Sequence, residues 1–212
     1  MKRPFIWKAL QIVARVGTTL LFDLKVFGLR HIPEDGGFLL VSNHQSYIDP
    51  VLLGVRLSRP LSYMAKSGLF KFAPFEWLIR QLGAFPIRQG SADIRALKEA
   101  IGRVQEGHAL TIFPEGTRSS DGNLQPIEPG IALVIRKAKI PVIPAVITGS
   151  SQAWPVGKKI FHPYPIRVLY GPPMDLAGLD REQIVEAIGK KFAEMFARLN
   201  AAQIATEDRR QR

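Results

Sequence analysis

The chain has 212 residues, of which 46% are hydrophobic and 22% charged, so it can close one sizeable core and is most simply a single ordered domain. The absence of cysteine excludes a disulfide scaffold, a thiol nucleophile and thiolate-bound zinc. The net charge of +11 favours anionic partners such as nucleic acid, an anionic membrane or a phosphorylated substrate.

The first 30 residues combine apolar side chains with an excess of cations. At helical spacing, one polar stripe of this stretch consists of Lys8, Gln11, Arg15 and Thr18. A basic stripe beside an apolar face is typical of a helix that lies in the membrane interface, with Trp7 at the depth of the lipid headgroups. A helix packed on the protein's own core and a membrane-spanning helix, for which the charges are costly, stay open as alternatives. We predict a membrane-associating helical segment over residues 1–27.

Short apolar runs alternate with helical patterns through the remaining residues, 28–212. Strands are predicted at residues 38–41, 61–65, 83–87, 109–113, 140–148 and 166–170. Helices are predicted at residues 50–57, 70–82, 91–106, 130–138 and 180–204. This alternation is typical of an α/β domain with a largely buried sheet flanked by helices.

The segment Asn43-His-Gln-Ser-Tyr-Ile-Asp49 follows the first predicted strand, at a position where α/β folds place their sites. A turn before Pro50 lets Asp49 fold back toward His44. A carboxylate on one imidazole nitrogen fixes the tautomer and leaves the other nitrogen as a base, as in a serine-hydrolase triad without its serine. Such a pair deprotonates a substrate hydroxyl. The alternative is that His44 only ends a strand and Asp49 only caps a helix.

A second candidate, Phe113-Pro-Glu-Gly-Thr-Arg-Ser119, also follows a predicted buried strand. Backbone amides around a glycine, two hydroxyls and a guanidinium fork suit a cluster of anionic oxygens. The alternative is a simple turn with a surface arginine. Two weaker segments are Phe85-Pro-Ile-Arg-Gln89, which presents Arg88 at a strand exit, and the proline-containing strand at 140–146.

Several common catalytic motifs are absent from the sequence, namely the serine nucleophile elbow, the phosphate-binding P-loop, the dinucleotide-binding glycine motif and the zinc-binding H-E-x-x-H. The four scattered histidines make a poor metal set, and His31, His108 and His162 have no acidic partner at a useful spacing. A base without a protein nucleophile, beside an anion site, favours direct group transfer to the hydroxyl of a bound substrate.

In order and spacing, four blocks resemble the motifs of the glycerolipid acyltransferase family, and most closely those of bacterial 1-acyl-glycerol-3-phosphate (lysophosphatidic acid) acyltransferases. The four blocks are N-H-Q-S-Y-I-D at 43–49, F-P-I-R at 85–88, F-P-E-G-T-R-S at 113–119 and I-P-V-I-P at 140–144. The resemblance implies a mixed sheet flanked by helices and preceded by a membrane-docking helical segment. It also implies attachment to the cytoplasmic face of the cell's inner membrane.

The reaction that the resemblance implies is acyl transfer from acyl-CoA or acyl carrier protein to a lysophospholipid hydroxyl, giving phosphatidic acid with no covalent enzyme intermediate and no bound cofactor or metal. By analogy His44 is the general base and Asp49 orients it. The residues implied to bind the acceptor's glycerol-phosphate are Arg88, Glu115, Gly116, Thr117 and Arg118, and those implied to shape the acyl site are Pro141 and Pro144.

Three competing functions stay open at this point. The acceptor could be glycerol-3-phosphate or another lysophospholipid, or the protein could hydrolyse thioesters. A basic nucleic-acid-binding module is disfavoured because aromatic residues do not interleave with cations on any predicted strand. We therefore expect the partners to be a lysophospholipid, an acyl donor and an anionic membrane surface, with no nucleic acid.

Overall fold

The computed structural model of the protein describes residues 5–87 and 94–211. Within these residues the strands are β1 Lys25–Phe27, β2 Phe38–Ser42, β3 Leu61–Lys66, β4 Ala84–Ile87, β5 Ala109–Ile112, β6 Val142–Thr148 and β7 Arg167–Tyr170. The α-helices are α1 Phe5–Phe22, α2 Asp49–Gly54, α3 Ala73–Gln81, α4 Ile94–Gln105, α5 Gly130–Ala138, α6 Ser150–Ala153 and α7 Arg181–Gln211. Short 3-10 helices cover Leu29–His31 and Ser67–Phe70.

The strands form one mixed sheet in the order β1-β7-β6-β2-β5-β3-β4. The five strands from β6 to β4 are mutually parallel, whereas β7 is antiparallel to β6 and β1 is parallel to β7. At the centre, Val41 of β2 lies beside Ile112 of β5 and Pro144 of β6. The loops that leave these three strands therefore emerge together at one edge of the sheet, as the α/β prediction requires.

Alternate residues of the central strands pack on opposite faces of the sheet. Leu39 and Val41 belong to one core cluster with apolar residues of α4, α5 and α7. Phe38 and Leu40 belong to the other cluster, which α2 and the end of α1 cover with Leu52, Leu53 and Phe22. This confirms the predicted α/β class and its flanking helices, and the six strands predicted from the sequence are all present.

The N-terminal segment differs from the prediction in two ways. First, α1 ends at Phe22, and residues 25–27 form the edge strand β1 instead of continuing the helix. The buried guanidinium of Arg167 holds the intervening turn through an ion pair of 2.9 Å with Asp23. A three-residue strand is too short to show a period of its own. The sequence pattern therefore gives no sign that the helix ends before residue 25.

Second, Trp7 is buried against the protein and does not stand at a headgroup position. The Gln11 side chain also faces inward and donates to the carbonyl oxygens of Gly54 and Leu57, at 3.2 and 2.8 Å. The outward side of α1 is instead strongly apolar, since Val13 and Leu20 are 70% and 80% exposed. Sequence period shows which residues share a stripe, but it does not show which stripe packs inward. Among the described residues, no helix has both the length and the apolarity needed to cross a bilayer.

Candidate active site

The loop after β2 is held in place by an amide side chain. Asn43 Nδ2 donates to the Ile147 carbonyl oxygen at 3.0 Å, and the Ile147 amide donates to Asn43 Oδ1 at 2.8 Å. The side chain thereby extends the β2–β6 ladder by one step after the strand has ended. Because Asn43 is fully buried, the position of the next residue, His44, is fixed relative to the sheet.

His44 and Asp49 form the central pair of the site. His44 Nδ1 lies 2.8 Å from Asp49 Oδ2, and the same oxygen accepts the backbone amides of Gln45 and Ser46 at 2.6 and 2.7 Å. Asp49 is the first residue of α2 and is completely buried. Since an ionised carboxylate can only accept, Nδ1 carries the proton and Nε2 is left with a free lone pair. The imidazole also stacks on Phe113, with ring centroids 4.0 Å apart.

The 113–119 loop grips the backbone of His44 from both sides. Glu115 Oε2 accepts the His44 amide at 3.2 Å, and the Ser119 amide donates to the His44 carbonyl oxygen at 2.7 Å. Glu115 Oε1 accepts the Gln125 amide at 3.3 Å. The 113–119 loop is therefore joined to the 43–49 loop through hydrogen bonds to the main chain of His44.

Glu115 is almost completely buried, and this burial raises its pKa to about 7. The two amides lower the pKa, and the nearby charge of Asp49 raises it further. The resemblance implied that Glu115 binds the acceptor's glycerol-phosphate. Its carboxylate is instead directed to backbone groups, and a negative charge beside a phosphate is unfavourable. The geometry favours a residue that positions His44, and the contact of Glu115 with the acceptor stays a prediction.

Arg118 lies against an aromatic ring beside this pair. The centre of its guanidinium is 3.6 Å from the Tyr47 ring centroid, and Arg118 Nη1 is buried without a hydrogen-bond acceptor. A buried guanidinium N–H without a partner is unfavourable by about 1–3 kcal/mol or more, so this nitrogen suits an incoming anionic oxygen. Tyr47 in turn faces the Trp154 ring at 6.0 Å.

The other predicted residues are less closely connected to the pair. Gly116 and Thr117 are exposed at the tip of the loop, and Gly116 has a φ of +68°, a left-handed conformation that favours glycine. Pro144 lies within β6, and the carbonyl oxygen of Pro141 accepts the Leu39 amide at 3.0 Å. Their role in shaping an acyl site stays a prediction. Arg88 lies outside the described residues.

Sequence reasoning missed Asn43 and Tyr47. Both lie within the first motif, whose residue types point only to a base and its carboxylate. The available signal for Asn43 was an amide directly after a continuous apolar strand, where a buried polar group needs a partner. Tyr47 gave no such signal, because its contact with Arg118 joins residues 71 positions apart.

Known proteins are similar to this chain in sequence and in fold. The Acyltransferase family model matches residues 23–148. A curated 1-acyl-sn-glycerol-3-phosphate acyltransferase of Bacillus subtilis (strain 168) is 28% identical over 194 residues, which cover 88% of this chain and 94% of that protein. A chloroplastic 1-acyl-sn-glycerol-3-phosphate acyltransferase of Brassica napus is 27% identical over 91% of this chain, which spans 56% of its length.

A solved structure is similar as well. The crystal structure of the 1-acyl-sn-glycerophosphate (LPA) acyltransferase PlsC from Thermotoga maritima superposes with a TM-score of 0.75 at 29% identity, covering 91% of this chain and 81% of that one. The fold is thus that of an acyl-transferring enzyme. This chain belongs to the Acyltransferase family.

The raised pKa of Glu115 predicts a pH dependence of folding stability. Between about pH 4.5 and 7 the unfolded chain releases this proton while the folded protein retains it, so the free energy of unfolding falls as pH rises through that window. One such group contributes a slope of up to about 1.4 kcal/mol per pH unit. Denaturant unfolding at closely spaced pH values should show this slope in the wild type and its loss in Glu115→Gln.

Glu186→Gln, at an exposed position of α7, is the matched control for loss of a carboxylate in general. If Glu115→Gln unfolds with the same pH slope as the wild type, the Glu115 carboxyl does not titrate in this window.

Proposed function

We propose that the protein transfers a fatty acyl group from acyl-CoA or acyl carrier protein to the free hydroxyl of 1-acyl-glycerol-3-phosphate, giving phosphatidic acid. The observation that carries this proposal is the 2.8 Å contact between His44 Nδ1 and the buried Asp49 carboxylate, at the edge of the sheet where three strands end. The activities for which the bacterial and plastid relatives are named support the same acceptor. This chain spans nearly the whole of the bacterial relative.

The chemistry follows from the free nitrogen of the pair. His44 Nε2 removes the proton of the acceptor hydroxyl while its oxygen attacks the thioester carbonyl carbon, forming the new C–O bond. Asp49 stabilises the imidazolium that results. As the tetrahedral intermediate collapses, the C–S bond breaks and the imidazolium returns the proton to the leaving thiolate. The products are the ester and the free thiol of the carrier, and no covalent enzyme intermediate or metal is needed.

The acceptor's phosphate is proposed to bind at Arg118. The guanidinium is held flat by the Tyr47 ring, and its buried Nη1 has no other acceptor. A planar fork matches two phosphate oxygens, and stacking on an aromatic ring fixes the plane of that fork. The Thr117 hydroxyl at the loop tip is a further donor, whereas the Gly116 amide already donates to the Phe113 carbonyl oxygen at 3.2 Å, so Gly116 contributes the shape of the turn.

Membrane association is proposed to involve the outer face of α1. This face exposes Val13, Val16 and Leu20, and the cations Lys8 and Arg15 are exposed on the same helix. Apolar side chains among cations suit a helix that lies in an anionic interface. We propose that the enzyme works at the cytoplasmic face of the inner membrane.

The function is tested with a matrix of donors and acceptors, with products identified by mass spectrometry. We expect phosphatidic acid from 1-acyl-glycerol-3-phosphate and either thioester donor. If glycerol-3-phosphate or another lysophospholipid is the preferred acceptor, the protein is a related acyltransferase with a different acceptor specificity. Free fatty acid released equally with and without an acceptor would instead show a thioester hydrolase.

Loss of the base should remove catalysis without unfolding the protein. We expect His44→Ala to lower kcat by at least about 100-fold, the usual scale for a positioned general base. Asp49→Asn should also be severe, because it removes the charge that stabilises the imidazolium. Steady-state kinetics with the preferred substrates measures both effects, and circular dichroism checks the fold. Near wild-type turnover in His44→Ala would exclude the mechanism.

Arg118→Ala should weaken binding of the acceptor. Charge-assisted hydrogen bonds of about 1.5–3 kcal/mol each predict an acceptor KM that rises roughly ten- to a hundredfold, with a smaller change in donor KM. Arg118→Lys should recover only part of the lost acceptor affinity, since an ammonium cannot donate two parallel hydrogen bonds from one plane and does not stack on an aromatic ring. Arg136→Ala, an exposed position on α5, is the control. A phosphate-free monoacylglycerol should be a poor acceptor and insensitive to the change. Equal impairment of both acceptors would make Arg118 a structural residue.

The outer face of α1 should control vesicle binding. Deleting residues 1–27 is a poor test, because Phe22 packs in the core and residues 25–27 belong to the sheet. We expect Val13→Ser, Val16→Ser and Leu20→Ser together to weaken binding to anionic liposomes at least about tenfold, because less apolar area is buried. Liposome flotation measures this effect. Leu133→Ser, an exposed apolar position on α5, is the control, and unchanged flotation of the triple variant would exclude α1 as an anchor.

A further inference from the structure

An exposed loop between α6 and β7 has the character of a membrane contact. Residues 156–163 are all exposed. Two cations, Lys158 and Lys159, stand directly before two apolar residues, Ile160 and Phe161, which are 71% and 42% exposed. Large apolar side chains are rarely this exposed next to one another without a partner surface.

The loop has fixed ends. At its base the His162 amide donates to the Ala153 carbonyl oxygen at 2.7 Å, and the Trp154 indole nitrogen donates to the Lys158 carbonyl oxygen at 2.9 Å. The Lys158 amide closes a turn on the Pro155 carbonyl oxygen at 3.1 Å. The exposed side chains are thus presented by a hydrogen-bonded scaffold.

A row of aromatic rings connects this loop to α1 on one side and to the active site on the other. Phe161 packs edge-on against Phe22, the last residue of α1, with ring centroids 5.8 Å apart. Phe161 also contacts Trp154, and Trp154 contacts Tyr47, each at 6.0 Å. The Trp154 carbonyl oxygen further accepts the Ser46 hydroxyl at 2.8 Å, within the turn between His44 and Asp49. The row of rings therefore joins the loop both to the buried end of α1 and to the turn that carries His44.

We propose that residues 158–161 form a second membrane anchor that enters the interface of an anionic bilayer next to α1. The proposal rests on the membrane association proposed above, but not on the acyl-transfer chemistry. Lys158 and Lys159 complement anionic headgroups, and Ile160 and Phe161 gain by leaving water for the acyl region. An acidic carrier protein would match the two lysines, but it would not explain the apolar pair that follows them.

This anchor gives the row of rings a function. A lysolipid that leaves the bilayer at the loop meets Trp154 and then Tyr47, whose ring supports the proposed phosphate ligand Arg118. The lysolipid then reaches Arg118 from the bilayer along these aromatic rings, and its acyl chain does not have to cross water.

The absence of cysteine makes a site-specific probe straightforward. A single cysteine is introduced into the full-length chain as Ile160→Cys, labelled with an environment-sensitive dye and mixed with vesicles that contain phosphatidylglycerol. Val13→Cys on α1 is the positive reference. Leu133→Cys is the matched control, because Leu133 is exposed on α5, which packs on the opposite face of the sheet. We expect blue-shifted emission and quenching by lipid-borne quenchers at 160 and 13, and neither at 133.

The cations are tested separately. Lys158→Gln with Lys159→Gln should weaken binding to the same vesicles about thirtyfold, or roughly fivefold for each cation near an anionic surface. The control pair on α5, Arg136→Gln with Lys137→Gln, should change binding by less than about twofold. Turnover of substrates in detergent micelles should stay at the wild-type level in both variants.

Two results would overturn the proposal. One is a dye at 160 that stays in water while the dye at 13 enters the bilayer. The other is a dye at 160 that responds to a soluble acidic acyl carrier protein and not to vesicles, which would assign the loop to that partner. A protein that binds vesicles through residue 160 but transfers no acyl group in micelles would retain the anchor and refute the proposed function instead.

Discussion

The site depends on a single buried oxygen atom. Asp49 Oδ2 accepts hydrogen bonds from the His44 imidazole and from two successive backbone amides, so it determines both the shape of the turn and the tautomer of the base. Burying a carboxylate is unfavourable unless it is hydrogen-bonded. Three donors on Oδ2 offset part of this cost, whereas Oδ1 is buried without a partner. Because the turn and the base share this acceptor, the ring orientation cannot change without also disturbing the backbone that carries it.

Asp49 holds the side chain of His44, and the 113–119 loop holds its main chain. Glu115 and Ser119 bind the amide and the carbonyl oxygen of His44, so the strand exits of β2 and β5 are joined directly across the site. This placement brings a second buried carboxyl group close to Asp49, and the mutual repulsion adds to the burial that raises the pKa of Glu115. With a pKa of about 7, the Glu115 carboxyl is partly neutral near neutral pH, and this reduces its repulsion with Asp49.

The sequence was sufficient to predict most of the elements and the chemical groups, but not the edge strand β1, the short helix α6 or the side-chain orientations that long-range packing decides. The six predicted strands and the α/β class followed from local apolar runs, whose signal does not depend on distant residues. The closeness of His44 and Asp49 also followed locally, from a turn before a helix start. In contrast, β1 exists because of its pairing with β7, and the inward Trp7 depends on the packing of α1 against the end of α2.

The motif alone does not decide the role of Glu115. A motif gives residue types in order, and a carboxylate in an anion-binding loop could equally serve the ligand or the backbone. The amides of His44 and Gln125, which the fold brings to that carboxylate, favour a role toward the backbone.

The orientation of α1 links the fold to the membrane in energetic terms. A valine or leucine side chain left in water forgoes about 1.5–3 kcal/mol relative to full burial, and α1 leaves several outward while it turns Gln11 inward. The helix cannot satisfy that face by rotating, because Trp7, Thr18 and Phe22 fix its other side. Nor can it tilt freely, since β1 begins at Lys25 and Arg167 holds Asp23 in the short turn between them. If the outer face of α1 lies in the interface as proposed, the membrane plane is therefore fixed relative to the sheet, and with it the direction from which a lipid hydroxyl reaches His44.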